Sequence, residues 1–316
     1  MRTSKSTIVS LTGGLGNQLF QLACGLNIAQ EEPLSLEWGL GKPRLAQGGK
    51  PELTSYLLPA NVGLEPKRQS RWLASKAAGY MLRMGIYPKR YEKLPGYFLG
   101  TRILASVITS IYFKRLCSIF PGRDVGYSHL SRHAQGNFIV GYFQSYKWIQ
   151  DQKVLQKLQS LRIPDENEEM AEFKRLAETE RPLIVHIRLG DYKNEDAFGV
   201  PSASYYSHAI ERMWKTGKFG KIWVFSDEPS LAVDLLPDPR KEDVRWIEEI
   251  QNSASKTLEV MRFGHGYVIG NSTFSWWGAF LSYSQGARVI APRPWFKGLL
   301  SPKDLIPLHW ESEVAW

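Results

Sequence analysis

The sequence predicts an α/β protein built as two domains on parallel sheets, and three observations predict it. Short apolar runs suited to buried strands alternate with stretches of helical periodicity, most regularly after Pro164. The chain opens with a strand, a glycine turn, a helix and a second strand, a βαβ unit that implies a parallel sheet. At 316 residues it has the length of about two domains.

In the first domain, residues 1–164, Thr7–Leu11 reads as a strand and Gly13–Gly16 as the turn. Leu19, Phe20, Leu22, Ala23 and Leu26 then recur at near-helical spacing through Ala29, and Leu34–Glu37 is the next strand. Residues 40–70 are rich in Gly, Pro and polar groups and read as irregular. Residues 71–118 read as basic, partly amphipathic helices, Asn137–Phe143 as a strand and Tyr146–Leu161 as a helix. In the second domain, residues 165–316, the expected order is helix Glu168–Glu178, strand Leu183–Ile187, helix Ser202–Lys215 and strand Ile222–Phe225. Helices Ser230–Leu236 and Lys256–Phe263, strand Tyr267–Ile269, helix Phe274–Ser284 and strand Arg288–Ala291 follow. Such an alternation is that of a doubly wound sheet.

Charge is unevenly spread. Between Pro66 and Arg123 stand twelve Lys or Arg against one acid, Glu92, within a chain of net charge +9. With Trp72, Leu73, Met81, Leu82, Ile86, Tyr87 and the run Ile103–Phe113 interleaved, the segment reads either as the solvated outside of a helical core or as a surface for anionic membrane. No nucleic-acid-binding motif accompanies it. No stretch has the roughly 18 apolar residues of a membrane span, and the N-terminal apolar run is shorter than a signal-peptide core. Cys24 and Cys117, the only cysteines, match no metal spacing and suggest no disulfide framework. The expected setting is therefore the cytoplasm, with the basic segment as a possible peripheral contact at the inner membrane face.

Ligands of open α/β sheets bind beyond the carboxyl ends of the strands. Those positions carry Arg188, Gly190 and Asp191 after one strand, Ser226, Asp227 and Glu228 after another, and Gly270, Asn271, Ser272 and Thr273 after a third. The last group opens a helix, whose N–H groups and dipole favour an anion, with the Ser272, Thr273 and Ser275 hydroxyls as further donors. A plain helix cap is the simpler alternative. Arg188 offers a planar fork for phosphate oxygens, and a salt bridge to Asp191 is its other reading. The N-terminal Gly14-x-Gly16 with Glu37 after the next strand approximates a dinucleotide fingerprint, but Leu19 stands at the third glycine. A nucleotide-dependent oxidoreductase thus stays open, as does an inactive sugar- or membrane-binding protein. There is no Asp-x-Asp, no GxxxxGK[ST] loop and no His or Cys pair at zinc spacing.

Five segments together, GGLGNQLFQLA at 13–23, GYFQSYKW at 141–148, VHIRLGDY at 185–192, VFSDE at 224–228 and VIGNSTFSWWGAFLS at 268–282, resemble glycosyltransferase family 11, which contains the α-1,2-fucosyltransferases. The resemblance implies a GT-B-like fold, two Rossmann-like domains facing across a cleft, here with a basic helical insertion at 66–123 in the first, acceptor-side domain. It implies transfer of L-fucose from GDP-β-L-fucose, with inversion, to the 2-hydroxyl of a galactose-containing oligosaccharide or lipid-linked glycan. No cofactor or metal is expected, and no nucleic-acid partner. Carried over residue by residue, Arg188 holds the donor diphosphate, His186 and Asp227 contact guanine, and Asn271, Ser272, Thr273 and Ser275 form the phosphate loop. Asn17, with Arg188 and Asp191, is a catalytic candidate; Gly14 and Gly16 are donor-binding candidates, although related protein O-fucosyltransferases carry an arginine where this chain has Gly14. Asp191 is the candidate base, weakened by any ion pair to Arg188.

Overall fold

A computed structural model describes residues 6–39, 43–65, 103, 107, 117–119, 126–127, 138–164, 168–247, 250 and 253–316. Contacts divide the chain into two compact units, Met1–Arg162 with Pro302–Leu305, and Ile163–Ser301 with Ile306–Trp316. Most of the basic segment 66–123 lies outside the described residues; within it Ile103 and Val107 are helical and exposed, and Cys117–Ile119 is a strand where the sequence suggests helix.

In the first unit, β1 (Thr7–Ser10), β2 (Leu34–Glu37), β3 (Val62–Leu64), β4 (Cys117–Ile119) and β5 (Phe138–Val140) form a sheet in the order β3-β2-β1-β5-β4, with every pairing parallel. Helix α1 (Leu15–Ala29) follows the glycine turn and is buried along most of its length. It lies close enough to the sheet that a Cβ at Gly25 would sit 2.9 Å from the side chains of Val9 and Leu34. Leu19, at the fingerprint's third glycine, is itself fully buried, and close helix–strand approach is achieved at Gly25 instead. The single helix expected over Tyr146–Leu161 is two elements, a 3₁₀ turn Tyr146–Ile149 and α2 (Gln152–Gln159). The break falls at Asp151, whose extended backbone lets its carboxylate cap Lys153 N at 2.8 Å and Val154 N at 3.3 Å.

The second unit holds α3 (Glu168–Glu180), β6 (Leu183–Ile187), α4 (Ala203–Thr216), β7 (Ile222–Ser226), α5 (Pro229–Ala232), β8 (Val244–Ile247), α6 (Ala254–Met261), β9 (Gly266–Val268), α7 (Thr273–Phe280), β10 (Arg288–Arg293) and β11 (Glu311–Val314). Its sheet runs β11-β10-β9-β6-β7-β8, again with every pairing parallel. Leu183, Val185 and Ile187 pack into the core shared with Tyr205, Tyr206, Ile210 and Met213 of α4, so alternation places Ile184 and His186 on the opposite face.

β3, β8 and β11 are absent from the sequence expectation. β11, Glu-Ser-Glu-Val, looks like polar surface, but its acids are paired: Glu311 Oε1 accepts from Arg288 Nη2 at 2.7 Å and Glu313 Oε2 from Arg212 Nη1 at 3.0 Å. Two Rossmann-like parallel-sheet units are the pair from which a GT-B enzyme is built. Among the described residues no helix is long and apolar enough to cross a membrane. Cys24 is a free thiol in the core, and burial holds it well above its ordinary pKa.

Candidate active site

The strand orders locate where each sheet can hold a ligand. In the second unit the chain moves from β6 outward to β7 and β8, then crosses back to β9 and proceeds to β10 and β11. The reversal leaves a switch point between β6 and β9, the position where a crevice opens beyond the carboxyl ends of parallel strands. The loop after β6 carries Arg188 and Asp191, and the loop after β9 carries Asn271, Ser272 and the start of α7. The residues that the sequence reading selected in this domain are therefore brought to one edge of one sheet.

Arg188 is held from two sides. Its Nη1 lies 3.0 Å from Asp227 Oδ2, and its Nε and Nη2 donate to Asp191 Oδ1 at 3.1 and 2.8 Å. Partial burial disfavours the charged guanidinium, but the carboxylates of Asp227 and Asp191 outweigh that cost and hold its pKa above the ordinary value. The Asp227 carboxylate also accepts from Leu189 N at 2.9 Å. Its side chain is 19% exposed, against 63% for Asp191. The β6 and β7 loops are further tied by an ion pair between Lys193 and Glu228.

His186 is buried against α7, its ring 6.0 Å from that of Phe274, and its Nδ1 has no hydrogen-bond partner among the described residues. Burial first, and the nearby Arg188 second, push its pKa down to about 3, so the imidazole is neutral over the ordinary pH range. Across the switch point, Ser272 caps α7 by accepting from Phe274 N at 3.3 Å. The fully buried Ser275 donates its hydroxyl to Ser272 O at 3.2 Å, which makes it a brace of the turn rather than an open donor.

The Asn271 amide is committed to the protein through its nitrogen, while its buried Oδ1 has no hydrogen-bond partner among the described residues. Its Nδ2 donates at 3.0 Å to both Phe198 O and Gly199 O, tying the β9 loop to the far end of the β6 loop. Phe198 O also accepts from Lys297 N at 3.2 Å, so one carbonyl joins the loops after β6, β9 and β10. Tyr192 stacks on Phe198 at 5.2 Å and donates to Asn271 O at 3.4 Å; burial pushes its pKa up to about 12. Sequence reasoning missed Tyr192 and Phe198. Tyr192 closes the segment VHIRLGDY, so its place beside Arg188 was the available signal.

The N-terminal candidates fall in the first unit, where they form a braced turn. A carboxylate already sits at the start of α1: Glu52 Oε2 accepts from Leu15 N at 2.7 Å. Gly14 and Gly16, the donor-binding candidates of this segment, thus stand at a helix start whose Leu15 N is already paired with a carboxylate of the chain itself. The dinucleotide reading weakens with it. Glu37, its ribose candidate, is buried and accepts from Ser10 Oγ at 3.2 Å and Gly39 N at 2.5 Å. The polar residues of the GNQLFQ segment stitch the turn to its neighbours. Gln18 Nε2 reaches Gly13 O at 2.9 Å and Arg44 O at 3.1 Å, and Gln21 Nε2 reaches Gly141 O at 2.9 Å. Asn17 Oδ1 accepts from Gln144 Nε2 at 3.0 Å, which bridges the loops after β1 and β5.

The chain is similar to known proteins along much of its length. The sequence model of Glycosyl transferase family 11 matches residues 117–298. The chain is similar to an alpha-1,2-colitosyltransferase of Escherichia coli, 27% identical over 96% of this chain and 97% of that protein. It is also similar to the O-antigen biosynthesis glycosyltransferase WbnK of Escherichia coli, 33% identical over 40% of this chain and 42% of that protein. Among solved structures, the fucosyltransferase NodZ from Bradyrhizobium aligns with a TM-score of 0.45 at 12% identity, covering 88% of this chain and 94% of that one. The family match spans more than half of the sequence and includes all the strand-end loops of the second unit's switch point, and on it the chain belongs to glycosyltransferase family 11.

Proposed function

We propose that this glycosyltransferase moves L-fucose from GDP-β-L-fucose to the 2-hydroxyl of a galactose-terminated glycan, with inversion and without a divalent metal. The observation that carries the reading is Arg188, fixed at the carboxyl end of β6 across the switch point from the helix start at Ser272 and Thr273. A guanidinium and a helix N-terminus are both groups that a protein can set against a diphosphate when no metal is used.

As the bond between sugar C1 and the phosphate oxygen breaks, its electron pair goes to GDP, and positive charge builds on the sugar. Arg188 and the start of α7 stabilise the growing charge on the diphosphate, a preorganised electrostatic effect. The acceptor oxygen attacks C1 from the opposite face and loses its proton. Asp191, the more exposed of Arg188's two carboxylates, is the residue we assign to take it. Neutral, buried His186 packs against α7 and keeps this wall of the site uncharged. The basic segment 66–123 is proposed to bring the enzyme to anionic membrane, within reach of a lipid-linked acceptor.

One observation favours a second donor. The relative that aligns along nearly the whole chain is named for colitose, which is fucose without its 3-hydroxyl. The test sets GDP-fucose against GDP-colitose with galactose-terminated acceptors, for the wild type and Arg188→Ala, with product linkage determined. The expected result is an α-1,2-fucoside, and a loss of two to three decades in turnover in Arg188→Ala, about 3 kcal/mol of transition-state stabilisation. Preference for GDP-colitose would transfer the assignment to the second donor. Near-normal turnover of Arg188→Ala would remove Arg188 from the mechanism.

A further inference from the structure

The two carboxylates that hold Arg188 are unlike each other, and the difference bears on how the donor binds. Asp227 uses both of its oxygens on the protein, Oδ1 on Leu189 N at 2.9 Å and Oδ2 on Arg188 Nη1 at 3.0 Å. It is the more buried of the pair and follows directly on the neighbouring strand, β7. The contact is close: a Cβ at Gly190 would fall inside van der Waals contact with Asp227 Oδ2, so a side chain there would push the carboxylate aside. Asp191 is largely exposed and uses Oδ1 alone to span Arg188 Nε and Nη2. The Nε–Nη2 edge of a guanidinium is also an edge that grips a phosphate in a two-point fork.

We infer that Asp227 is the permanent anchor that aims Arg188, while Asp191 is a placeholder on the phosphate-binding edge that the donor diphosphate displaces. The inference rests on the GDP-sugar reading and replaces the expectation that Asp227 contacts guanine. A carboxylate reads the adjacent N–H donors of guanine with two oxygens, and both oxygens of Asp227 are engaged elsewhere. Displacement also gives Asp191 its freedom at the right moment: its carboxylate leaves Arg188 only when a donor is in place, and is then available for the acceptor proton.

The two roles have opposite signs in one experiment. Binding of GDP to the full-length protein is measured by calorimetry for Asp227→Asn, Asp191→Asn, Arg188→Ala and the two double variants with Arg188→Ala. Asp227→Asn keeps an oxygen for Leu189 N and should weaken GDP about tenfold, an effect that disappears in the Arg188→Ala background because the two residues act as one unit. Asp191→Asn should tighten GDP binding, because a competitor for the fork is weakened. The ratio of GDP to IDP affinity, which reports contact with the guanine 2-amino group, should be the same in Asp227→Asn as in the wild type; a purely structural defect would not spare this ratio while vanishing with Arg188. Should Asp227→Asn fail to fold, Gly190→Ala displaces the same carboxylate and must give the same pattern. Additive losses from Asp227 and Arg188, a shrunken GDP/IDP ratio, or GDP binding by Asp191→Asn no tighter than the wild type's each overturn the inference while leaving the GDP-sugar reading intact. A wild-type protein that binds no GDP sinks that reading itself.

Discussion

Acidification between pH 7 and 5 should destabilise the second unit through His186. The imidazole is buried on the α7 face of β6, and its pKa is pushed down to about 3 by burial and by Arg188, with Asp227 opposing. In the unfolded chain a histidine titrates near 6.5. The folded pKa is the lower of the two, so the native state binds fewer protons and its stability falls as pH falls. The contribution is complete above about pH 6.5 and drains away down to about pH 3. At pH 5 the unfolded state is almost fully protonated at this residue and the folded state is not, which amounts to about 2 kcal/mol. For a unit of this size the unfolding midpoint should drop by roughly 4–8 °C. The assay is thermal or urea unfolding at pH 7, 6 and 5, followed by tryptophan fluorescence, for the wild type and for His186→Phe, which removes the titrating group. The variant's absolute stability is immaterial; its pH slope over this window should be flatter by about 2 kcal/mol. Parallel slopes for the two proteins would show that His186 takes up its proton in the fold as readily as in the unfolded chain.

Three further outcomes are expected. Glu52→Ala removes the carboxylate from the start of α1 and should cost about 2 kcal/mol in denaturant unfolding with GDP affinity unchanged; a fall in GDP affinity would place the nucleotide in the first unit. Turnover should survive excess EDTA, because Arg188 and the α7 start supply the positive charge; loss of activity restored by manganese or magnesium would show the diphosphate to be held otherwise. The protein should sediment with anionic but not neutral vesicles, less so in salt or after charge reversal at Arg83, Lys89, Arg90 and Lys93; if it stays in the supernatant at low salt, the basic segment has no membrane role.

The sequence read well wherever pattern and topology coincide. β2 and β6 stand where alternation and apolar runs place them, and the three strand-end loops of the second unit meet because parallel strands must deliver their carboxyl ends to one edge. Reading failed where tertiary pairing overrides local chemistry. β11 is acidic and looks solvated until Arg212 and Arg288 are seen beside it. The helix over Tyr146–Leu161 is cut by Asp151 acting as a cap rather than as a surface charge. At the site, residue types were legible but partners were not: Arg188–Asp191 is visible at three residues' separation, whereas Arg188–Asp227 spans two strands and Asn271–Phe198 two loops. Glu52 sits thirty-seven positions from Leu15 in a segment read as irregular, so nothing local marks it as the group that fills the helix start.

That single carboxylate has a stoichiometric consequence. Two parallel sheets with a glycine turn and helix at the switch point could in principle seat two nucleotides per chain. The first unit's seat, between β1 and β5, is taken by Glu52 and crossed by the Gln144–Asn17 bond, so a nucleotide would have to evict a buried anion to enter it. Saturation should therefore occur at one GDP per polypeptide, and a titration with a second equivalent of heat would mean that the first unit can exchange its own side chain for a phosphate.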